Sequence, residues 1–300
     1  MRVLANGLRL EAESLGDPAA PAVLLVLGLG MQLVAWPDEL CRALVDSGYR
    51  VIRFDNRDAG LSEKIEGIDR PNLMLAAMRW LLRLPVRAPY TLEAMADDAL
   101  GVMEAMGARQ AHLVGVSLGA MVAQALAASH PERCLSLASL MSSSGDRHLP
   151  AADLKVLRLL LSRPPRNAGA EHRVAHFVRL FTAIGTPGQD TELLADRVRR
   201  SIERSYCPRG TARQMLAVLA SGDRSDSLRT IRAPTLVLHG SADALVPPAH
   251  GVDCARKIPG AQLELVKGMG HDLAPPILPQ VTARLLAHLA AAQAAHSTRH

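Results

Sequence analysis

His112-Leu113-Val114-Gly115-Val116-Ser117-Leu118-Gly119-Ala120-Met121 decides how this chain is read. An apolar run leads in, an amphipathic run leads out, and Gly115, Ser117 and Gly119 between them form Gly-x-Ser-x-Gly. A nucleophile on a sharp strand-to-helix turn needs small residues two positions either side, because its own backbone is strained. The turn holds the hydroxyl clear of the sheet, and the following helix aims its positive N-terminal end at developing negative charge. The five-residue pattern is common by itself. Its setting, strand before and helix after, gives it weight.

Outward from Ser117, short apolar runs alternate with longer amphipathic ones. Strands are predicted at Ala22–Gly28, Arg50–Asp55, Ala111–Ser117 and Leu135–Ser142, with helices at Asp38–Ser47, Thr91–Met106 and Leu118–His130. In the second helix Leu92, Met95, Ala99, Val102, Met103 and Met106 share one face, and Thr91 suits an N-cap. Asn6-Gly7 ahead of Leu8–Leu15 suggests an opening hairpin. Such alternation predicts an α/β fold with a mostly parallel sheet covered on both faces. It stops after Ser144, where Leu154–Leu161, His172–Phe181 and Glu192–Arg204 read as helices separated by Pro164-Pro165 and Pro187-Gly188. It resumes with strand Pro234–Gly240, a helix near Ala249–Lys257, strand Ala261–Gly268 and a last helix from about Pro279. The expected organisation is a sheet core from residues 1–144 and 227–300 with a helical cap inserted at 145–226.

A serine hydroxyl is a poor nucleophile at neutral pH, so a base and an orienting acid are required. Asp243 lies in the loop after strand Thr235–Leu238, in the form Gly240-x-x-Asp243-x-x-Val246. His271 closes the turn Lys267-Gly268-Met269-Gly270 after strand Leu263–Val266, and of the eleven histidines it alone follows a strand in a Gly-rich turn. Parallel strands deliver all three residues to one sheet edge in the order serine, acid, histidine. Asp146, just after the Leu135–Ser142 strand, is the alternative acid.

At these residues the chain resembles the α/β-hydrolase superfamily over nearly its whole length. Leu27-Gly28-Leu29-Gly30-Met31 with Trp36-Pro37, then Asp55-x-Arg57-Asp58-x-Gly60-x-Ser62, and Gly268-x-Gly270-His271 resemble the aclacinomycin methylesterase-type esterases. The resemblance implies a sheet of about eight strands, a Ser117-His271-Asp243 triad and an acyl-enzyme intermediate. It also implies an oxyanion hole from the backbone N–H groups of Leu118 and Leu29, Leu29 being assigned by position because Leu27 stands where many relatives carry histidine. The expected activity is hydrolysis of a small-molecule carboxylic ester, aliphatic or methyl, with no metal and no organic cofactor. Met31, Phe177 and Phe181 are the candidate walls of the acyl pocket. A lactonase or cofactor-free perhydrolase with the same triad, or a silent hydrolase-fold binding module, are the alternatives.

Composition narrows the field further. The 300 residues are 49% apolar, 21% charged and only 3% aromatic, which suits a globular chain and leaves few rings to stack nucleic-acid bases. The longest apolar run, Ala22 to Met31, is too short for a bilayer, and the N-terminus carries no apolar stretch of signal-peptide length. Cys41, Cys134, Cys207 and Cys254 are far apart, which points to reduced thiols in a cytoplasm rather than a disulfide frame or zinc site. The net charge is +5, yet residues 147–226 alone carry thirteen Arg and one Lys against eight acids. Solvated helix faces, with pairs such as Asp196/Arg200, are the plain reading, and attraction of an anionic substrate or membrane surface is the other.

Several features imitate other functions. Gly28-Leu29-Gly30 resembles a dinucleotide fingerprint, but the third glycine would fall at Leu33. His172 and His176 sit four apart with no Glu after His172, so a metal pair is not expected. Asp55 and Arg57 are expected to form a structural ion pair beneath the site. Leu73–Leu84, bounded by Pro71 and Pro85, is apolar nearly all round except for Arg79 and Arg83. It reads as a helix packed under the cap, or as an entrance helix that meets lipid or an acyl chain.

Overall fold

A computed structural model describes residues 1–65, 72–162, 164 and 169–297. Of the expected helix breakers, Pro71 and Pro165 lie outside these residues. Eight strands run through one sheet: β1 Arg2–Ala5, β2 Leu8–Leu15, β3 Ala22–Val26, β4 Arg50–Phe54, β5 Ala111–Val116, β6 Cys134–Leu140, β7 Thr235–Gly240 and β8 Gln262–Val266. Their spatial order is β1-β2-β4-β3-β5-β6-β7-β8. The β1–β2 and β2–β4 pairs are antiparallel and every other pair is parallel. The opening hairpin turns at Asn6 and Gly7, with φ of 48° and 76°, the left-handed values that a two-residue turn requires.

The helices among the described residues are α1 Asp38–Asp46, α2 Leu73–Leu81, α3 Leu92–Ala105, α4 Leu118–Ser129, α5 Leu154–Leu161, α6 Ala170–Ile184, α7 Thr191–Arg204, α8 Pro208–Ser221, α9 Ser225–Arg229, α10 Pro248–Lys257 and α11 Leu278–Ser297. Successive β3 side chains point to opposite faces and so feed two cores. Leu24 and Val26 join Met95, Val102 and Met103 of α3 and Val122 and Leu126 of α4. Val23 and Leu25 join Leu40 and Leu44 of α1 and Val281, Leu285 and Leu289 of α11. Both faces are therefore covered, as the near-continuous apolar strands require. Thr91 does cap α3, its hydroxyl accepting the Ala94 N–H at 3.2 Å.

Three local expectations differ. Strands β3 to β6 stop one or two residues earlier than predicted, because Gly28, Asp55, Ser117 and Ser142 already belong to the turns at the carboxyl edge. Among the described residues five helices lie between β6 and β7 rather than three, and Pro208 stands at the first turn of α8, a position that suits proline. The apolar stretch is helical only to Leu81, since Arg83 turns left-handed at φ 59°, so Arg79 and Arg83 do not share a helix face.

The ion pairs also differ from expectation. Asp196 pairs with Arg199 at 2.7 Å, and Arg199 also reaches Glu171. Arg57 does not pair with Asp55; its Nε and Nη2 donate to the buried Asp98 at 2.5 and 2.6 Å, and Asn6 Nδ2 donates to the same carboxylate at 3.0 Å. Asp98 thus depends on Arg57 for neutralisation inside the protein. Removing one partner of a buried pair strands the other, so Arg57→Leu is expected to cost about 3–5 kcal/mol in urea unfolding. The Arg57→Leu/Asp98→Leu double variant should recover much of that loss; equal losses in both would refute the coupling.

Candidate active site

The β5-to-α4 turn is built by close packing. Ser117 has φ 56° and ψ −119°, a backbone state that few residues with a side chain adopt. A Cβ on Gly115 would come within 2.4 Å of Gly119 O, and one on Gly119 within 2.1 Å of Val26 O. Neither position can carry a side chain while α4 stays against β3 and β5. The strained residue is held on both sides: Ser117 N–H donates to Leu140 O at 2.9 Å, and Ser142 Oγ donates to Ser117 O at 3.0 Å.

Asp243 follows β7 and is buried. Its Oδ1 accepts the N–H groups of Leu245 and Val246 at 3.0 and 2.8 Å, and its Oδ2 meets His271 Nδ1 at 2.6 Å. Burial would raise this carboxyl, but hydrogen bonds from His239, His271 and the Val246 N–H, with the charge of His271, lower it to about 2. An ionised carboxylate only accepts, so the proton of a neutral His271 sits on Nδ1 and Nε2 keeps a free lone pair. The backbone of His271 is fixed too, its N–H donating to Ile184 O at 2.7 Å.

The structure brings Ser117, Asp243 and His271 to the carboxyl edge of the parallel strands β5, β7 and β8. It joins the acid to the imidazole, and among the described residues no hydrogen bond links Ser117 Oγ to His271. Asp146 is engaged elsewhere, bonded to Lys257 Nζ at 2.9 Å. Gly28 lies beside the hydroxyl: a Cβ there would sit 3.8 Å from Ser117 Oγ. The next amide, of Leu29, donates to no acceptor among the described residues, and Leu118, the first residue of α4, has no intrahelical acceptor for its own. Phe177 and Phe181 stack at 6.1 Å between centroids, and they pack against the Val156, Leu180 and Ile184 cluster, as do Ala244 and Leu245 next to Asp243. Met31 rests against the α1 and α11 core.

Sequence reading missed the residues that hold these groups in place. Gln214 of α8 accepts the Gly30 N–H at 2.8 Å and donates to Arg57 O at 2.7 Å, which clamps the loop after β3. Thr186 donates through Oγ1 to Asp272 Oδ1 at 2.6 Å and accepts the Gly270 N–H at 3.0 Å. His239 is fully buried, donates from Nε2 to Val246 O at 2.7 Å, and lies 3.4 Å from Asp243 Oδ2. None of these carries a local motif.

A carboxylate whose folded pKa lies below its unfolded value stabilises the fold above the unfolded value and loses that effect as pH falls through the folded one. For Asp243 the window runs from its ordinary 3.8 down to about 2. The contribution is about 2 kcal/mol. Unfolding free energy of the wild type should therefore fall across that window by about 2 kcal/mol more than that of Asp243→Asn. Parallel pH curves for the two proteins would contradict it.

A family model described as alpha/beta hydrolase fold matches residues 21–274. Rhodomycin D methylesterase DnrP of Streptomyces peucetius is 30% identical over 315 residues, covering 97% of this chain and 98% of that protein. A putative carbamate hydrolase, RutD of a Caulobacter species, is 28% identical and covers 85% of this chain and 86% of its own. Among solved structures, the enol-lactonase of Burkholderia xenovorans matches with a TM-score of 0.74 at 21% identity, covering 97% of this chain and all of that one. The meta-cleavage product hydrolase of Pseudomonas fluorescens matches at 0.76 and 19% identity, with 97% and 98% covered. Both structures bear on the fold alone. With an eight-stranded sheet, a strained serine at the end of β5 and a family match over most of its length, this chain belongs to the α/β-hydrolase family, on its methylesterase-type branch of ester hydrolases.

Proposed function

We propose that the protein is a serine carboxylic ester hydrolase acting on aliphatic or methyl esters through an acyl-enzyme. The observation that carries this reading is the 2.6 Å contact between His271 Nδ1 and Asp243 Oδ2 at the same sheet edge as the strained Ser117. Ser117 Oγ attacks the ester carbonyl carbon while its proton passes to His271 Nε2. Asp243 keeps the other ring nitrogen protonated and stabilises the imidazolium that forms. The Leu29 and Leu118 N–H groups receive the oxyanion, each worth about 3 kcal/mol in the transition state. The tetrahedral adduct collapses, the C–O bond breaks, and the alcohol leaves with the proton from Nε2. Water then repeats the sequence on the acyl-enzyme, giving its proton to Nε2 and releasing the acid. No step calls for a metal or an organic cofactor.

The methyl-ester reading is supported by the 30% identity to a rhodomycin D methylesterase. Helices α5 to α8 act as a cap over the core, residues 145–226 on 1–144 and 227–300. Two contacts support this: α8 holds the loop after β3 through Gln214, and the segment after α6 holds the His271 turn through Thr186. Phe177, Phe181 and Met31 then form the acyl side of the pocket. The four thiols are free, which fits a cytoplasmic enzyme, and among the described residues no helix is long and apolar enough to cross a membrane.

Turnover of a panel of p-nitrophenyl esters of increasing acyl length tests the reading. Ser117→Ala and His271→Ala are expected to lose about 10⁴-fold or more in kcat while circular dichroism stays unchanged. Asp243→Asn should lose heavily as well, and Asp146→Asn should match the wild type. Wild-type turnover by Ser117→Ala would falsify the proposal; the reverse order of the two Asp variants would move the acid to Asp146.

A further inference from the structure

Residues 72–92 contain three arginines and no acid. In the folded chain, Met74, Leu81 and Leu82 are 85%, 75% and 60% exposed, and Leu75, Met78 and Leu84 are exposed too. Ala76 is the one fully buried residue of α2. Scattered apolar side chains are ordinary on a protein surface, but six within residues 74–84 make a patch that water solvates poorly. α2 rests on α8 and turns most of its apolar side chains outward instead of burying them.

The rim of the patch is cationic. Arg83 and Arg87 are exposed, and Arg79 donates to Pro85 O at 2.7 Å, which folds the 82–88 turn back along the helix. Arg147 arrives from the other side, its guanidinium 5.5 Å from the centroid of the Trp80 ring. Among the described residues none of these four guanidiniums is paired with a carboxylate. Apolar side chains bordered by arginine match a surface with hydrocarbon inside and phosphate at its edge. A second copy of the chain fits worse, since a twofold contact on this face sets four arginines against the same four.

We propose that α2 and the 82–88 turn dock on an anionic lipid surface, with Met74, Leu81 and Leu82 entering the acyl region and Arg79, Arg83, Arg87 and Arg147 meeting lipid phosphates. A helix of this length is about 13 Å long, enough to lie in the interface plane and far too short to span it. One helix separates the docking face from the chemistry, because α8 carries the Gln214 that holds Gly30. The substrate class that follows, a carboxylic ester presented by a lipid surface, rests on the ester hydrolase reading; the docking does not.

Co-sedimentation with vesicles tests the docking, using the full chain and phosphatidylcholine vesicles with or without phosphatidylglycerol. Binding is expected to the phosphatidylglycerol-containing vesicles and to weaken as salt is raised. Leu81→Glu/Leu82→Glu should weaken it by more than about tenfold. Arg83→Glu/Arg87→Glu should weaken it by about the same factor and remove the preference for anionic vesicles. Failure of the wild type to bind either vesicle, or unchanged binding by Leu81→Glu/Leu82→Glu, overturns the proposal. So does a dimer in light scattering that this variant dissociates while vesicles capture nothing. Hydrolysis of p-nitrophenyl butyrate in solution, measured on the same samples, separates the two readings. Hydrolysis without vesicle binding sinks the docking alone, and binding without hydrolysis sinks the esterase alone.

Discussion

Everything at the site depends on the crossing of α4 over the end of β5. Ser117 holds a left-handed backbone that costs on the order of 1–3 kcal/mol, and it persists because its surroundings leave no alternative. Leu118 through Ala127 are buried almost without exception, so the helix cannot roll to relieve the strain. Gly119 lies against the carbonyls of Val26 and Leu27, which welds the start of the helix to β3 as well as β5. The same contact brings the loop after β3 beside the hydroxyl. Nucleophile and candidate oxyanion donors are therefore fixed by one packing event, not by two independent ones.

The helical segment between β6 and β7 is tied to the loop after β4 by buried ion pairs. Arg204 Nη1 bonds Asp55 Oδ2 at 2.7 Å, and Arg213 grips Asp58 through both carboxylate oxygens while Tyr90 donates to the same group. Asp55 and Asp58 are buried, and a buried carboxylate without a partner is strongly destabilising. Two arginines of the basic segment thus serve the interior and not a solvated face. Such pairs specify one docking position, because a small shift of the segment would leave two anions uncompensated.

Much of this was legible in the chain. The strands at 22, 50, 111, 134, 235 and 262 begin within a residue of where apolar runs indicated, and the central ones at 22 and 111, covered on both faces, are apolar nearly throughout. Leu154–Leu161 agrees at both ends. Other features were out of reach. Asp55 and Arg57, two residues apart, invited pairing, yet β4 ends between sheet and loop and sends them to different partners, Arg204 and Asp98. Gln214 and Thr186 have no motif around them, and their roles exist only because α8 and the end of α6 come to rest on the site loops.

Local chain chemistry determines the strand and helix periodicity, the glycines around Ser117, and the order of serine, acid and histidine along the strands. Each of these is written within a few residues, where sterics and side-chain period act directly. Tertiary structure alone decided which carboxylate meets His271, which arginine neutralises Asp55, Asp58 and Asp98, and that α2 turns its apolar side chains to solvent. The pairs involved are 41, 149 and 155 residues apart for Asp98, Asp55 and Asp58, and charges have no sequence period to announce a partner at that range. Only the packing of whole elements brings such groups within reach, and burial then makes their pairing obligatory.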